Sequence, residues 1–327
     1  MKNLKGTFIL LLAAFIWGTA FVAQTSAGDN IGAFTFNACR NIIGALFLFV
    51  VIAILDMRKY SDRNDNPGEN NYNIDKKNYI INKKNYLTNA KKWPIKEGVI
   101  CGILLCIAMN LQQIGINTYP DGVAVSGRAG FLTATYVVMI AIASVFMGQK
   151  LHKLTIIAAF VCIAGMYLLC IAGGINEIYV ADILELMCAV AFTIHMFTVD
   201  KYDKADGVKL SCIQFLTSGI LSGILMLIFD KADINSIMKA IIPILYAGVM
   251  SSGIAYTFQI IGQKYAKPSV TAIVLSLESV FAALAGWILL GEHLSTRELT
   301  GCILVVNGTR VFIQHLFITL TIVNNRS

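Results

Sequence analysis

Residues 269–292 read SVTAIVLSLESVFAALAGWILLGE, predominantly apolar from Val270 to Leu290 with one carboxylate, Glu278, near the middle. A hydrocarbon core about 30 Å thick is crossed by ~20 mostly apolar helical residues. A charge at mid-depth costs ~2.5–3.5 kcal/mol on insertion scales, so Glu278 is expected to face protein or water rather than lipid. The small residues Ala282, Ala283, Ala285 and Gly286 follow it, and small residues let neighbouring helices approach closely.

The rest of the chain has the same character. Of its 327 residues, 57% are hydrophobic and 14% charged, against about 25% charged in soluble domains. Mean hydropathy is +0.69. The expectation is an all-α membrane protein with ten transmembrane helices, at 6–27, 31–55, 97–117, 122–147, 154–172, 180–199, 210–229, 237–261, 269–290 and 298–316. The first is read as an uncleaved span rather than a signal peptide, because Trp17-Gly18 and Phe21 lie inside a run too long for a typical signal core. Residues 58–96 form a hydrophilic, Asn- and Lys-rich insertion with the near-repeat KKNYI and KKNYL. It is read as a tolerated insertion, the alternative being contact with anionic lipid.

Several functional classes are excluded on these grounds. The eight cysteines all lie in apolar segments without a CxxC, and the four histidines lack metal spacing, so no disulfide framework and no zinc or other metal site is expected. No phosphate-binding GxxxxGK[ST] loop is present. The net charge of +7 sits largely in the 58–96 insertion, which argues against nucleic acid as a partner. With the amino terminus inside, 20 Lys/Arg fall on the cytoplasmic side and 3 outside, so both termini are expected to be cytoplasmic.

An internal repeat is visible. Gly148-x-x-Leu151 and Gly165 recur as Gly291-x-x-Leu294 and Gly308 at an offset of 143. Gln112-Gln113-Ile114-Gly115 matches Gln259-Ile260-Ile261-Gly262, and Ala14-Phe15 matches Ala191-Phe192. Two five-span halves, 1–175 (carrying the 58–96 insertion) and 176–327, would insert with opposite topology because five is odd. Inverted repeats place a transporter's substrate site at the midplane between them.

Trp17-Gly18-Thr19-Ala20-Phe21-Val22-Ala23-Gln24, Phe34 to Arg40, Gly127 to Val138, and Leu277-Glu278-Ser279-Val280-Phe281-Ala282 with Leu290-Gly291-Glu292 together resemble EamA-type bacterial drug/metabolite transporters. The resemblance covers nearly the whole chain outside 58–96. It implies a ten-span fold of two inverted five-helix repeats in the bacterial plasma membrane, no cofactor, and transport, often outward, of a small-molecule substrate. The implied central cavity is lined mainly by spans 1, 3, 4, 6, 8 and 9. Where the family often has proline, this chain has Ala33, Ala141 and Ser279, so no proline bend is expected at those points.

Candidate cavity residues follow from polar spacing. Span 8 carries Ser252, Tyr256, Gln259 and Gln263 on one helical face, and span 3 carries Asn110, Gln113 and Asn117 with Gln112 beside them. These stripes are either cavity walls or interhelical hydrogen bonds, worth ~0.6 kcal/mol on average. Trp17 shares a face with Gln24, Tyr136 lies in the span 4 motif, and His195 either titrates or sits neutral and satisfied. Antiparallel neighbours match heights symmetrically about their loop, which sets Glu278 level with Arg310. Pairing would make Glu278 structural and is favoured, because a paired buried charge is cheaper than a lone one. Facing the cavity, it would exchange protons or bind a cation.

Arg40, Arg128 and Glu185 are further intramembrane charges, with Glu185 a candidate partner for either arginine and Arg128 a candidate attractor of an anionic substrate. Gly98-xxx-Gly102 and Gly219-xxx-Gly223 allow close helix contact, within a monomer or in a homodimer. The primary reading is a secondary transporter of the plasma membrane moving an amino acid or related metabolite, with proton coupling open. The alternatives are a nucleotide-sugar or phosphate-bearing substrate, a membrane-embedded enzyme, or a structural or signalling membrane protein.

Overall fold

The computed structural model describes residues 2–65, 93–148, 153–170, 179–231, 233–265, 268–293, 295–297 and 299–308. All the regular structure among the described residues is helical. In chain order these are α1 (Lys2–Gly28), α2 (Ala33–Asp65), α3 (Ile95–Thr118), α4 in two pieces (Val125–Ala134 and Tyr136–Phe146), α5 (Lys153–Cys170), α6 (Val180–Lys201) and α7 (Gly207–Phe229). A short helix, Ile234–Lys239, leads into α8, which runs as Ile241–Tyr246, a π-helical stretch Ala247–Ala255, and Tyr256–Gln263. α9 comprises Pro268–Leu275, Leu277–Ala285 and a π-helical end, Gly286–Leu290. α10 is a shorter apolar helix, Leu299–Gly308.

Eight of these helices are long and apolar enough to cross a bilayer, namely α1 to α4 and α6 to α9. The chain is therefore a multi-pass membrane protein. α5 stands where the fifth span is expected, and α10 begins where the tenth is expected. Most of the 58–96 insertion, and residues 309–316 of the last expected span, lie outside the described residues.

The burial pattern is that of a protein solvated by lipid. α2 turns Leu46, Phe49 and Val50 outward and buries Asn37, Arg40 and Asn41. Without water to bond to, inward polar groups must bond each other. Asn37 Nδ2 donates to Met109 O (2.9 Å) and Asn110 Oδ1 (3.1 Å), tying α2 to α3. Asn110 Nδ2 donates to Ser222 Oγ on α7 (2.9 Å). Asn41 Nδ2 donates to Ser218 Oγ on α7 (3.0 Å) and its Oδ1 accepts from Ser252 Oγ on α8 (3.3 Å). Four helices are thereby registered by two asparagines of α2 and one of α3.

Glycines permit the closest approaches. A Cβ at Gly44 would lie 2.8 Å from Ser252 Cβ and 2.9 Å from Gly248 O, so α2 and α8 cross backbone to backbone. Gly98 and Gly102 pack on Ile213 and Thr217 of α7, and Gly219 packs on Ile42 of α2. Both GxxxG pairs thus serve contacts within one chain.

The helix interruptions are made without proline. At Thr135 the hydroxyl donates to Leu132 O (2.6 Å), and Val138 N bonds Thr135 O (3.0 Å). At Ser276 the hydroxyl donates to Ile273 O (2.7 Å), and Ser279 N bonds Ser276 O (3.3 Å). Ser279 Oγ adds a second bond to Ser276 O (2.7 Å). Such i−3 bonds tighten a turn and bend a helix. The backbone angles agree closely, φ −59° and ψ −16° at Thr135 against φ −58° and ψ −18° at Ser276. Absence of proline at Ser279 therefore does not leave α9 straight, because serine hydroxyls produce the break three residues earlier.

Gly18 seats α1 against α9. An added Cβ there would overlap Phe281 Cβ and lie 2.7 Å from Glu278 O. Gly127 has ordinary room, 3.6 Å from Ala283. Gly18→Ala should lower stability by about 1–3 kcal/mol through forced backbone movement. Gly127→Ala should stay within about 0.5 kcal/mol of the parent. Thermal unfolding of the purified variants in one detergent checks the contrast.

Candidate functional site

Seven helices converge on one central, partly open cavity. α1 contributes Trp17, Ala20, Phe21 and Gln24; α2 contributes Arg40; α3 contributes Gln112; and α4 contributes Thr133 and Tyr136. α6 contributes Phe192, His195 and Met196; α8 contributes Ser251, Tyr256 and Gln259; and α9 contributes Glu278. The interruptions in α4 and α9 lie at the wall, since Tyr136 directly follows one break and Glu278 stands two residues past the other. A tightened turn re-aims the side chains beyond it, and this brings both oxygens to the cavity level.

The walls are part aromatic and part polar. Trp17 and Tyr256 meet edge to face with centroids 4.6 Å apart, and Phe215 backs Tyr256 at 5.1 Å. His195 is buried and bonded through Nε2 to Gln214 Oε1 (3.1 Å). Arg40 is 2% exposed and donates from Nη1 to Gln24 Oε1 (2.9 Å), its Cζ lying 5.4 Å from the Phe36 ring centre. Gln24 is held in turn by Gln113 Nε2, which donates to its backbone carbonyl (3.1 Å).

Three cavity-lining groups, Trp17 Nε1, Arg40 Nε and Gln259 Oε1, each carry a buried polar atom with no hydrogen-bond partner among the described residues, and Tyr136 Oη and the Glu278 carboxylate face each other in the wall. Buried polar atoms are ordinarily bonded, so a cluster of unpartnered ones around one space marks a place where a polar ligand or water is received.

The residues singled out in the sequence divide as follows. Trp17, Gln24, Tyr136, His195, Tyr256, Gln259 and Glu278 line the cavity, and Arg40 joins them. Asn110 and Gln113 do not. Asn110 points between α2 and α7, and Gln113 bonds Gln24 O and Asn117 Oδ1. The α3 stripe is thus a helix–helix seam, and Gln112, about 100° around the helix from it, is the residue that reaches the cavity. Gln112 Nε2 donates to Thr133 Oγ1 (3.1 Å), which donates to Glu185 Oε2 (2.8 Å). Glu185 is thereby placed behind the α4 wall, with neither arginine as its partner.

Arg128 is instead taken by Asp182, one turn before Glu185. Its Nε and Nη2 bond Asp182 Oδ1 (2.8 Å) and Oδ2 (2.7 Å) as a two-point fork. Tyr119 Oη donates to Asp182 Oδ1 (2.8 Å), and the guanidinium lies 4.8 Å from the Tyr179 ring centre. Arg128 therefore closes the α4–α6 ends rather than presenting itself to an anion in the cavity. Arg310, expected level with Glu278, lies outside the described residues.

Comparison with known proteins agrees in kind. A family model described as the EamA-like transporter family matches residues 4–70 and 180–314. An uncharacterized transporter of Archaeoglobus fulgidus is 26% identical over 309 residues, covering 94% of this chain and 85% of the relative. The uncharacterized transporter YoaV of Bacillus subtilis is 20% identical, covering 91% of this chain and 93% of its own. A solved crystal structure, described only as that of a protein, superposes with a TM-score of 0.69 at 17% identity. It covers 94% of this chain and 98% of its own, and shows a shared fold.

The ion-pair assignment has a direct consequence. A double-mutant cycle of Arg128→Gln with Asp182→Asn, read as unfolding free energy in detergent, should show coupling of about 1–3 kcal/mol. The cycle of Arg128→Gln with Glu185→Gln should be additive within about 0.5 kcal/mol.

Proposed function

The chain belongs to the EamA-like transporter family, and on that footing we propose that it is a ten-span secondary transporter exporting a small metabolite, such as an amino acid or related compound, by alternating access. The membrane is the plasma membrane of a bacterial cell, with both termini cytoplasmic, as the Lys/Arg distribution favours. The observation that carries the reading is the central cavity, with unpartnered buried polar atoms from α1, α2 and α8 and the facing Tyr136 and Glu278 of α4 and α9.

The two halves, 1–175 and 176–327, are proposed to be the moving bodies. Support comes from the packing, whose main pairs are unchanged when each helix is exchanged for the one five places on. α3 with α6 becomes α8 with α1, α3 with α7 becomes α8 with α2, and α4 with α6 becomes α9 with α1. α2 with α7 and α4 with α9 map onto themselves. The Thr135 and Ser276 breaks agree with the same relation, since Thr135 corresponds to Glu278 at the repeat offset of 143. Discontinuous helices in corresponding positions of two repeats are a pointer to a transporter's midplane site.

Rocking of one half against the other would open one end of the cavity at a time. At the end proposed to be external, three acidic side chains close the seams. Asp182 holds Arg128, Glu292 Oε1 accepts from Ser126 N at the start of α4 (2.9 Å), and Asp230 Oδ2 accepts from Thr35 N and Oγ1 at the start of α2 (2.7 and 2.8 Å). Release of substrate outward requires contacts of this set to part. Glu278, a carboxylate in the cavity wall beside Tyr136 and Tyr256, is the group proposed to exchange a proton during the cycle.

Purified protein in proteoliposomes, preloaded with unlabelled metabolites and offered radiolabelled ones, should show saturable counterflow for at least one small metabolite. No flux across an amino-acid and organic-acid panel would overturn the reading. With a transported substrate in hand, Glu278→Gln should retain counterflow but lose stimulation by an imposed pH gradient. A variant whose pH response matches the parent would remove Glu278 from proton exchange.

A further inference from the structure

We propose that Arg40 is the residue of the central cavity that recognises a carboxylate on the substrate, with Gln24 as its positioning residue. The assignment rests on the transport reading above and adds to it the charge and shape of the group that enters.

The argument begins with what surrounds the guanidinium. A cation within a bilayer span is costly, and it is ordinarily paired with an anion. Two other cations buried or half-buried among the described residues have such partners. Arg128 is forked onto Asp182, and Lys209 lies 3.7 Å from Asp56. Arg40 is 2% exposed, yet no carboxylate lies within salt-bridge distance of it among the described residues. It contacts a neutral amide oxygen, Gln24 Oε1, and the face of Phe36. Nε makes no hydrogen bond. Glu278 lines the same cavity, so an internal ion pair could have formed there and has not.

The geometry suits a visiting anion. Gln24 occupies Nη1 and leaves the Nε edge of the fork without an acceptor, which is an edge that binds carboxylate oxygens side by side. The base of the side chain is fixed where α2 crosses α8, as Arg40 O would lie 2.9 Å from a Cβ added at Gly248. Gln24 is itself fixed by Gln113 through its backbone carbonyl. The guanidinium is therefore preorganised and incompletely satisfied, the condition under which a charged ligand group gains most.

Charge selects the anion. Arg40 is the cavity's one cationic side chain among the described lining residues, and Glu278 shares the space. Arg40 and the Glu278 carboxylate together carry no net charge, so an amino-acid zwitterion with its carboxylate on Arg40 leaves the site neutral, whereas a dianion brings two unbalanced negative charges. A carboxylate fits this field, and a phosphate monoester does not.

The test uses the full chain in proteoliposomes with radiolabelled L-amino acids, their matched amides and glycerol phosphate as probes. The parent should transport at least one acid about 100-fold better, in kcat/KM, than its amide. Arg40→Gln should lose about 100-fold on the acid, and Arg40→Lys should recover part of that. Gln24→Glu supplies the decisive arm, because it sets a carboxylate of the protein's own against Arg40 at the 2.9 Å contact. It should raise KM for the acid about tenfold or more while leaving the protein as thermostable as the parent. If Arg40 serves only the fold, Gln24→Glu would leave KM unchanged, and that result overturns the proposal. Equal transport of acid and amide, or preference for glycerol phosphate, also overturns it while transport itself stands. No flux of any probe by the parent overturns the transport reading and this assignment together.

Discussion

A bilayer interior offers a backbone or side chain no hydrogen bonds, and this one deprivation shapes the molecule. Some polar groups of the spans bond each other, and some face a space that a partner can enter. Asn37, Asn41 and Asn110 take the first course and register α2, α3, α7 and α8. Trp17, Arg40 and Gln259 take the second, each holding a buried polar atom in reserve at the central cavity. The bundle is thus stitched along its seams and left chemically unsaturated at its middle.

The interruptions of α4 and α9 lie at the wall of the same cavity. A hydroxyl bonded to the carbonyl three residues back replaces the ring of a proline and leaves the amide N–H in place. Ser276 N still bonds Ala272 O (2.9 Å), a bond that proline at that position would remove. The break therefore keeps a buried donor bonded that a proline there would remove.

Much of this was legible in the residues, and the exceptions have physical causes. The eight long spans follow from hydropathy, since an apolar run of that length has few other uses. Glu278 announced itself as a charge in a long apolar run. The polar stripe Asn110, Gln113 and Asn117 was equally visible, but spacing on one helix identifies a face without identifying its neighbour. That face meets α2 and α7, and Gln112 reaches the cavity instead. Arg128 and Asp182 could have been paired by height, because each stands in the first turn of its helix at the same expected surface. Glu185 drew attention by lying deeper in apolar sequence, where an unpaired charge looks more demanding. Tyr119 and Tyr179, which flank the ion pair, lie just outside the helices and show no periodicity to read. The hydroxyl-made breaks at Thr135 and Ser276 were hidden because serine and threonine occur commonly within spans, and only geometry distinguishes those that bend one.

Central to this account is a polar cavity that faces each side of the membrane in turn. Ala20 lines it and is 1% exposed, so a cysteine there is small enough to leave the fold intact. With the eight native cysteines replaced, Ala20→Cys can be offered a membrane-impermeant thiol reagent in right-side-out and in inverted vesicles. The account predicts labelling from both sides, with each rate altered when a transported substrate is present. Failure to label from either side, in a chain that retains its fold, would contradict it.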